Sequence, residues 1–339
     1  MNMSHFTKRL ILLTALTLNL AAFTSCTNDD FAPQNALPED GEIRISASVN
    51  QLVATRTETG TTPVPYSGSD LGLYIRPSHS YSLWEHNETN NKYAYPNVKF
   101  TNNTTGWSQT TYSPMLWEGD KVSYEYYAYA PYSSDVSSSN NKISYNLTST
   151  APTDLLWTSK TGLAKNLVNE SQELEIEFGH VFCKVAVEIA IADEFYQNGS
   201  TDNPISNVTI SSSSAKGYIN VFTGNVYNNS ENPTDNPTPD NLTFSMKSHT
   251  AGNSQTDGTY KTSDIFYAPG EEQFKVTITT TGGSDSRTFS YTHNETYLFE
   301  SGKAYVIQLK MGKDVIQMSG AGITASAWAN GGTTDLETE

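Results

Sequence analysis

The chain has 339 residues and a formal net charge of −16, with 36 Asp and Glu against 20 Lys and Arg. Nucleic-acid binding depends on Lys and Arg that neutralise phosphates, so this balance excludes that partner class and suits a solvated, secreted surface. Aromatic residues make up 11% of the chain, 20 of them Tyr, and the rest is rich in Ser, Thr and Asn. This profile favours β-structure joined by polar loops over helices.

In chain order, Lys8-Arg9, an apolar run from Leu10 to Phe23, and Thr24-Ser25 before Cys26 form the three parts of a secretory signal. Asn19 interrupts the run, and a spanning helix needs about 20 predominantly apolar residues, so a membrane span is not expected. Phe23-Thr24-Ser25-Cys26 resembles a bacterial lipoprotein box, with Phe where Leu is usual. Residues 1–25 are therefore read as a signal peptide and Cys26 as the lipidation site, bearing acyl chains of the palmitate type. Residues 26–42 are polar and acidic and include Pro33 and Pro38, the composition of a flexible tether. With Cys26 lipidated only Cys183 remains, so no intramolecular disulfide is expected and packing must supply stability. The length that follows accommodates two domains of about 140 residues each.

Ile43, Ile45, Ala47 and Val49 alternate with Glu42, Arg44, Ser46 and Ser48, the period-2 pattern of a strand with one buried face. A Gly-, Thr- and Pro-rich loop follows through Ser69, so Arg56 falls between strand and loop. Further strand patterns occur at 71–75, 122–129, 142–147 and 155–157. Leu174, Ile176 and Phe178 alternate with Glu175 and Glu177, but beyond Gly179 the apolar set moves to Val181, Cys183, Val185, Val187, Ile189 and Ile191. A bulge near Gly179-His180 would restore one core face. The domain junction is placed just ahead of this segment, giving units 43–168 and 169–339. Short strands recur at 208–210, 217–221, 242–244, 265–267, 274–278, 289–291 and 305–309, with 228–241 and 248–263 read as low-complexity insertions. Many short strands separated by turn signals imply a sandwich. The last segment, 315–328, presents Ile323, Ala325 and Ala327 on one face and Trp328 on the other.

The sequence His-Asn-Glu-Thr occurs at 86–89 and again at 293–296. Spacing i, i+2 would put His and Glu on one strand face, where both could meet a metal, yet chance repetition in an Asn- and Thr-rich chain explains it as simply. Cys183, on an apolar strand face, reads as a small buried hydrophobe, and His180 as a hydrogen-bonded core or junction residue. There is no phosphate-binding Gly loop, no His pair with Glu on a helix and no Gly-x-Ser-x-Gly elbow. The expectation is a protein that is not an enzyme, with no catalytic residue, metal or cofactor.

The lipoprotein signal, an Ile-rich strand followed by Thr55-Arg56-Thr57, and Trp117 ahead of Tyr124-Glu125-Tyr126-Tyr127-Ala128-Tyr129-Ala130-Pro131 come in an ordered series. It continues with Phe178-Gly179-His180 before Lys184-Val185-Ala186-Val187, then Tyr267-Ala268-Pro269-Gly270, Gly302-Lys303-Ala304-Tyr305 and a terminal strand to Trp328. In this order the residues resemble the fimbrillin family, the structural and tip subunits of type V pili in Bacteroidales-type bacteria. The resemblance implies an all-β fold of two tandem transthyretin-like β-sandwich domains. It also implies export as a lipoprotein to the outer membrane, exposure at the cell surface and incorporation into a fimbrium, with a role in adhesion to a host protein or glycan at the tip. Implied partners are other fimbrial subunits and an Arg-specific protease that removes the first strand, after which a neighbour's strand fills the groove.

Arg56, followed by Thr57, is the candidate cut, against the alternative of an ordinary solvated loop residue. Burial of Ile43, Ile45 and Val49, with a smaller share from Ala47, makes losing the strand cost roughly 5–8 kcal/mol, a large part of a typical domain's stability. The segment 315–328 reads equally as a donor strand or as the closing strand of its own domain; the small residues Ala325 and Ala327 match the bulk of the Ile-rich face poorly. The competing function is an anchored, non-polymerising glycan-binding lipoprotein, with Tyr81, Trp84, Tyr93, Tyr95 and Trp107 as a sugar-stacking platform, unless these aromatics cover the core.

Overall fold

The computed structural model describes residues 36–54, 59–78, 86–87, 89, 92–137, 139–228, 238–253, 255–281 and 286–328. Cys26, Arg56, Thr57, Tyr81 and Trp84 lie outside the described residues. Strands dominate the rest. The first nine are β1 (Ile45–Ala54), β2 (Thr59–Pro65), β3 (Asp70–Pro77), β4 (Tyr95–Asn103), β5 (Gly106–Ser108), β6 (Ser123–Ala130), β7 (Lys142–Asn146), β8 (Leu156–Leu163) and β9 (Leu174–His180). A helical turn, α1 (Ala164–Leu167), follows β8 and buries Ala164 and Leu167. Then come β10 (Cys183–Ile191), β11 (Ile205–Ser212), β12 (Lys216–Asn220), β13 (Val226–Asn228), β14 (Asp240–Phe244), β15 (Met246–Thr250) and β16 (Gly258–Thr262). The last five are β17 (Ile265–Tyr267), β18 (Gly270–Thr280), β19 (Thr288–Phe299), β20 (Lys303–Met311) and β21 (Ile316–Ala327).

Period-2 patterning translates directly into burial. In β9 the residues at Leu174, Ile176, Phe178 and His180 are buried while Glu175, Glu177 and Gly179 are not; β20 alternates in the same way. Successive side chains of a strand point to opposite faces, so one face of each builds a core.

Eight strands form one sheet in the order β2-β1-β9-β8-β6-β3-β4-β5. Only two residue pairs, Leu156 with His180 and Trp157 with Gly179, join its β9 and β8 sections, so the sheet folds over and both sections enclose one core. That core holds Ile43, Ile45 and Val49 together with Leu73, Phe100, Tyr126, Ile176 and Phe178. A second core is enclosed by three further sheets: β15-β16-β10-β20-β21 with β17 paired to β10, β14-β11-β18-β19, and β13-β12-β7. The whole is an all-β sandwich fold.

Three expectations change. The phase slip near Gly179 is not a bulge: β9 ends at His180 in the first sheet and β10 begins at Cys183 in another, so the apolar pattern shifts because the chain crosses between cores. A unit boundary at 168/169 accordingly sets β9 apart from the sheet it completes, and β7 adds Ile143 and Tyr145 to the second core although it precedes that boundary. The loops expected before Ser69 and at 248–263 contain β2, most of β15 and all of β16. β2 escapes notice because of its two prolines, which an edge strand accepts. The donation from the Tyr66 amide to Ala47 O at 2.9 Å, with the register of Val49 to Val64, turns the nitrogens of Pro63 and Pro65 away from β1, where no N–H is needed.

Candidate functional site: the two terminal strands

β1 is hydrogen-bonded along both edges. It pairs in parallel with β9, from Ile45 opposite Leu174 to Val49 opposite Phe178, and antiparallel with β2, from Ser48 opposite Pro65 to Ala54 opposite Thr59. Just before it, the Ile43 amide donates to Met115 O at 2.9 Å and the Trp117 amide to Gly41 O at 2.9 Å. Ile43, Ile45, Ala47 and Val49 are all buried, between 3% and 9% exposed, as the alternation predicts. Their polar counterparts face outward. Arg44 bonds Asp40 and, at 2.8 Å, Glu42, and its guanidinium holds the Asp40 carboxyl below its ordinary value. At the far side, Asn169 Nδ2 donates to Ser46 Oγ at 3.0 Å.

Removing this strand has two local consequences. β9 would present an open edge from Leu174 to Phe178, and β2, which among the described residues has β1 as its one sheet neighbour, would lose its pairing. The covalent link between β1 and β2 is the connection 55–58, which holds Arg56 and Thr57. Sequence reading missed the role of β2: the candidate cut lies between two paired strands, not between a strand and a loop. The spacing Pro63-Val64-Pro65 was the available signal.

The terminal strand is fastened to its own chain. β21 pairs antiparallel with β20, from Met311 opposite Ile316 to Lys303 opposite Ala327. The register slips between Ile307 and Leu309, where Gly320 and Gly322 take φ of 56° and 77°, a conformation that costs glycine little. Ile323 and Ala327 are partly buried and Ala325 is exposed, so the shallow face holds weakly. Trp328 adds a buried anchor to the ladder with β20. It is 2% exposed, its ring lies 3.7 Å from that of His180 and nearly parallel to it, and Phe266 packs at 5.6 Å. Lys184 Nζ sits 4.3 Å from the Trp328 ring centroid, and burial pushes this ammonium below its ordinary pKa. His180 in turn bonds Asp154 through Nδ1 at 3.0 Å. His180 ends β9 and Lys184 lies in β10, so the terminal Trp closes onto the crossing point of the two cores.

Cys183 is fully buried, its Sγ donating to Tyr267 O at 3.3 Å, and burial drives its thiol pKa well upward. His86 stacks on Tyr95 and His293 on Phe274, so each repeated His packs against an aromatic ring. Tyr95 is buried at 3% and Trp107 stacks on Tyr66 at 5.9 Å, placing both in or against the first core. Among the described residues no group of three or more His, Cys, Asp and Glu could hold a metal ion, and no helix is long and apolar enough to cross a membrane.

Fold and site define an all-β sandwich protein whose first strand is laid between two others and whose last strand is pinned by a buried Trp. Residues 80–328 match the family model described as fimbrillin-like, and the chain belongs to that family. Similar solved structures include a candidate cell adhesion protein from Bacteroides ovatus, 19% identical with a TM-score of 0.54, covering 85% of this chain and 98% of that one. Another, from Bacteroides uniformis, is 16% identical with a TM-score of 0.52, covering 86% and 100%. The C-terminally truncated tip fimbrial protein Mfa3 from Porphyromonas gingivalis is 11% identical with a TM-score of 0.43, covering 84% and 99%. At these identities the likeness to the first two is one of fold. No curated protein sequence matches the chain.

Proposed function

We propose that this chain is a surface-exposed fimbrial subunit with an adhesive role, built as two tandem transthyretin-like sandwich domains. It is exported as a lipoprotein through Cys26, held at the outer membrane, and matured by an Arg-specific protease after Arg56. Release of β1 then lets a strand from another subunit take its place. The observation that supports this most is the seat of β1: a terminal strand, buried on one face and paired on both edges, joined onward through the connection that contains Arg56. An emptied seat would expose unpaired peptide groups as well as apolar surface, and an incoming strand restores both.

For the other end, the anchorage of Trp328 favours a closing strand over a donor. A subunit that accepts a strand and keeps its own belongs at the end of a fibre. The burial of Tyr95 and the packing of Trp107 and Tyr66 weigh against the sugar-stacking alternative.

N-terminal sequencing of the protein recovered from cells tests the reading. A start at Thr57 is expected, and a lipid-blocked Cys26 in every molecule would overturn it.

A further inference from the structure

β7 is the edge of the sheet β13-β12-β7, and the direction of its backbone groups follows from its neighbours. The Leu147 amide donates to Ala215 O at 2.8 Å and the Val221 amide to Asn141 O at 2.9 Å. Between these bonds, Tyr145 stands opposite Gly217 and Ile143 opposite Ile219. Bonded and non-bonded pairs alternate in an antiparallel ladder, so Ile143 and Tyr145 turn their N–H and C=O toward β12, while Lys142 and Ser144 turn theirs away. The far side of β12 agrees: the Asn220 amide donates to Asn225 O at 3.0 Å, aiming the alternate residues at β13. Among the described residues, the outward N–H and C=O of Ser144 have no partner.

A groove of about 410 Å³ runs along this edge, within the range of ligand pockets, about 300–1,000 Å³. Five consecutive residues of β7 and its continuation, Ile143 to Leu147, line it. A groove on either face of the strand would meet only every second residue, so this one follows the backbone edge itself. Tyr132, Ser133, Pro152 and Thr153 also line it. No lining residue is charged, although the chain carries −16 overall.

We propose that this groove binds an extended, uncharged peptide segment of another protein, which joins the sheet as a fourth strand along the outer edge of β7. The unpaired peptide groups of Ser144 call for a complementary backbone. The uncharged walls offer no counter-charge to an acidic or basic segment, whose charges would have to be desolvated unpaired. The groove is separate from the seat of β1 and does not depend on cleavage after Arg56.

The test uses the full chain and a capped heptapeptide of alternating Thr and Val, read by isothermal titration and amide hydrogen exchange with mass spectrometry. Binding is expected to slow exchange in the 142–147 segment. Ser144→Pro removes the outward N–H without touching the ladder to β12, in the manner of Pro63 and Pro65 in β2, and is expected to weaken binding about tenfold or more. Ser144→Ala should bind as the unaltered chain does. A peptide with Glu at alternate positions should also bind about tenfold or more weakly. No binding of the Thr/Val peptide, equal binding by Ser144→Pro, or protection of this segment by a neutral oligosaccharide in place of the peptide would overturn the proposal.

Discussion

At the residue scale, one ring adds a buried anchor to the backbone ladder that joins the terminal strand to β20. Trp328 combines near-complete burial with contacts from His180, Phe266 and Lys184, whereas Ile323, Ala325 and Ala327 are no more than partly buried. Truncating a buried Trp to Ala leaves a cavity and costs about 3–5 kcal/mol. Trp328→Ala is therefore expected to lower stability by that amount in urea denaturation and to make β21 sensitive to limited proteolysis. Ala325→Ser, at an exposed position, should change neither measurement. A Trp328→Ala chain as stable as the original would remove the argument for a closing strand. His180 owes its place to the same contact: period-2 alternation predicted burial after an apolar strand face, and the bond to Asp154 satisfies one of its ring nitrogens.

At the element scale, β1 is shared by a parallel neighbour and an antiparallel one, as β9, β10 and β20 also are. Within the body, Ile43, Ile45 and Val49 fill the space between β9 and the section of the sheet containing β3 and β6. A chain beginning at Thr57 should thus be less stable by roughly 5–8 kcal/mol. Adding a synthetic peptide of residues 40–54 should restore its melting temperature in a saturable way, because a ligand bound only by the folded state stabilises it by mass action. The same peptide with Ile45→Asp should fail, since an unpaired carboxylate cannot be buried at low cost. A truncated chain as stable as the full one, or rescue by the Asp peptide, would show that the strand is peripheral.

At the scale of the whole molecule, buried tyrosines tie stability to pH. Burial raises the pKa of Tyr124, Tyr126, Tyr129 and Tyr145 far above the ordinary phenol value and that of Tyr66 and Tyr305 to about 12. A folded-state pKa above the unfolded value near 10 means that these phenols contribute stability in full below about pH 10 and lose it as pH rises toward their folded values. Spectrophotometric titration should accordingly show the buried group ionising together with loss of circular dichroism, after the exposed tyrosines. Ionisation of all of them near pH 10 with the fold intact would contradict the packing.

Much of this architecture was legible in one dimension because strand burial has a period of 2: the buried faces of β1, β9 and β20, the all-β class and the fimbrillin likeness all follow from local order. Pairing was not legible, because it joins residues far apart in sequence and leaves no local trace. Only the tertiary structure shows that β2, with its prolines at outward positions, is the antiparallel partner of β1, and that the phase slip after Gly179 is a crossing between cores. It alone shows β7 lying in the second core although it precedes β8 and β9, and Trp328 resting on His180. The sequence by itself determined which face of β1 and of β9 is apolar, since that depends only on alternation. Which edges meet, and so which strand could be released and which is pinned, was decided by the three-dimensional packing that satisfies backbone groups and fills the cores together.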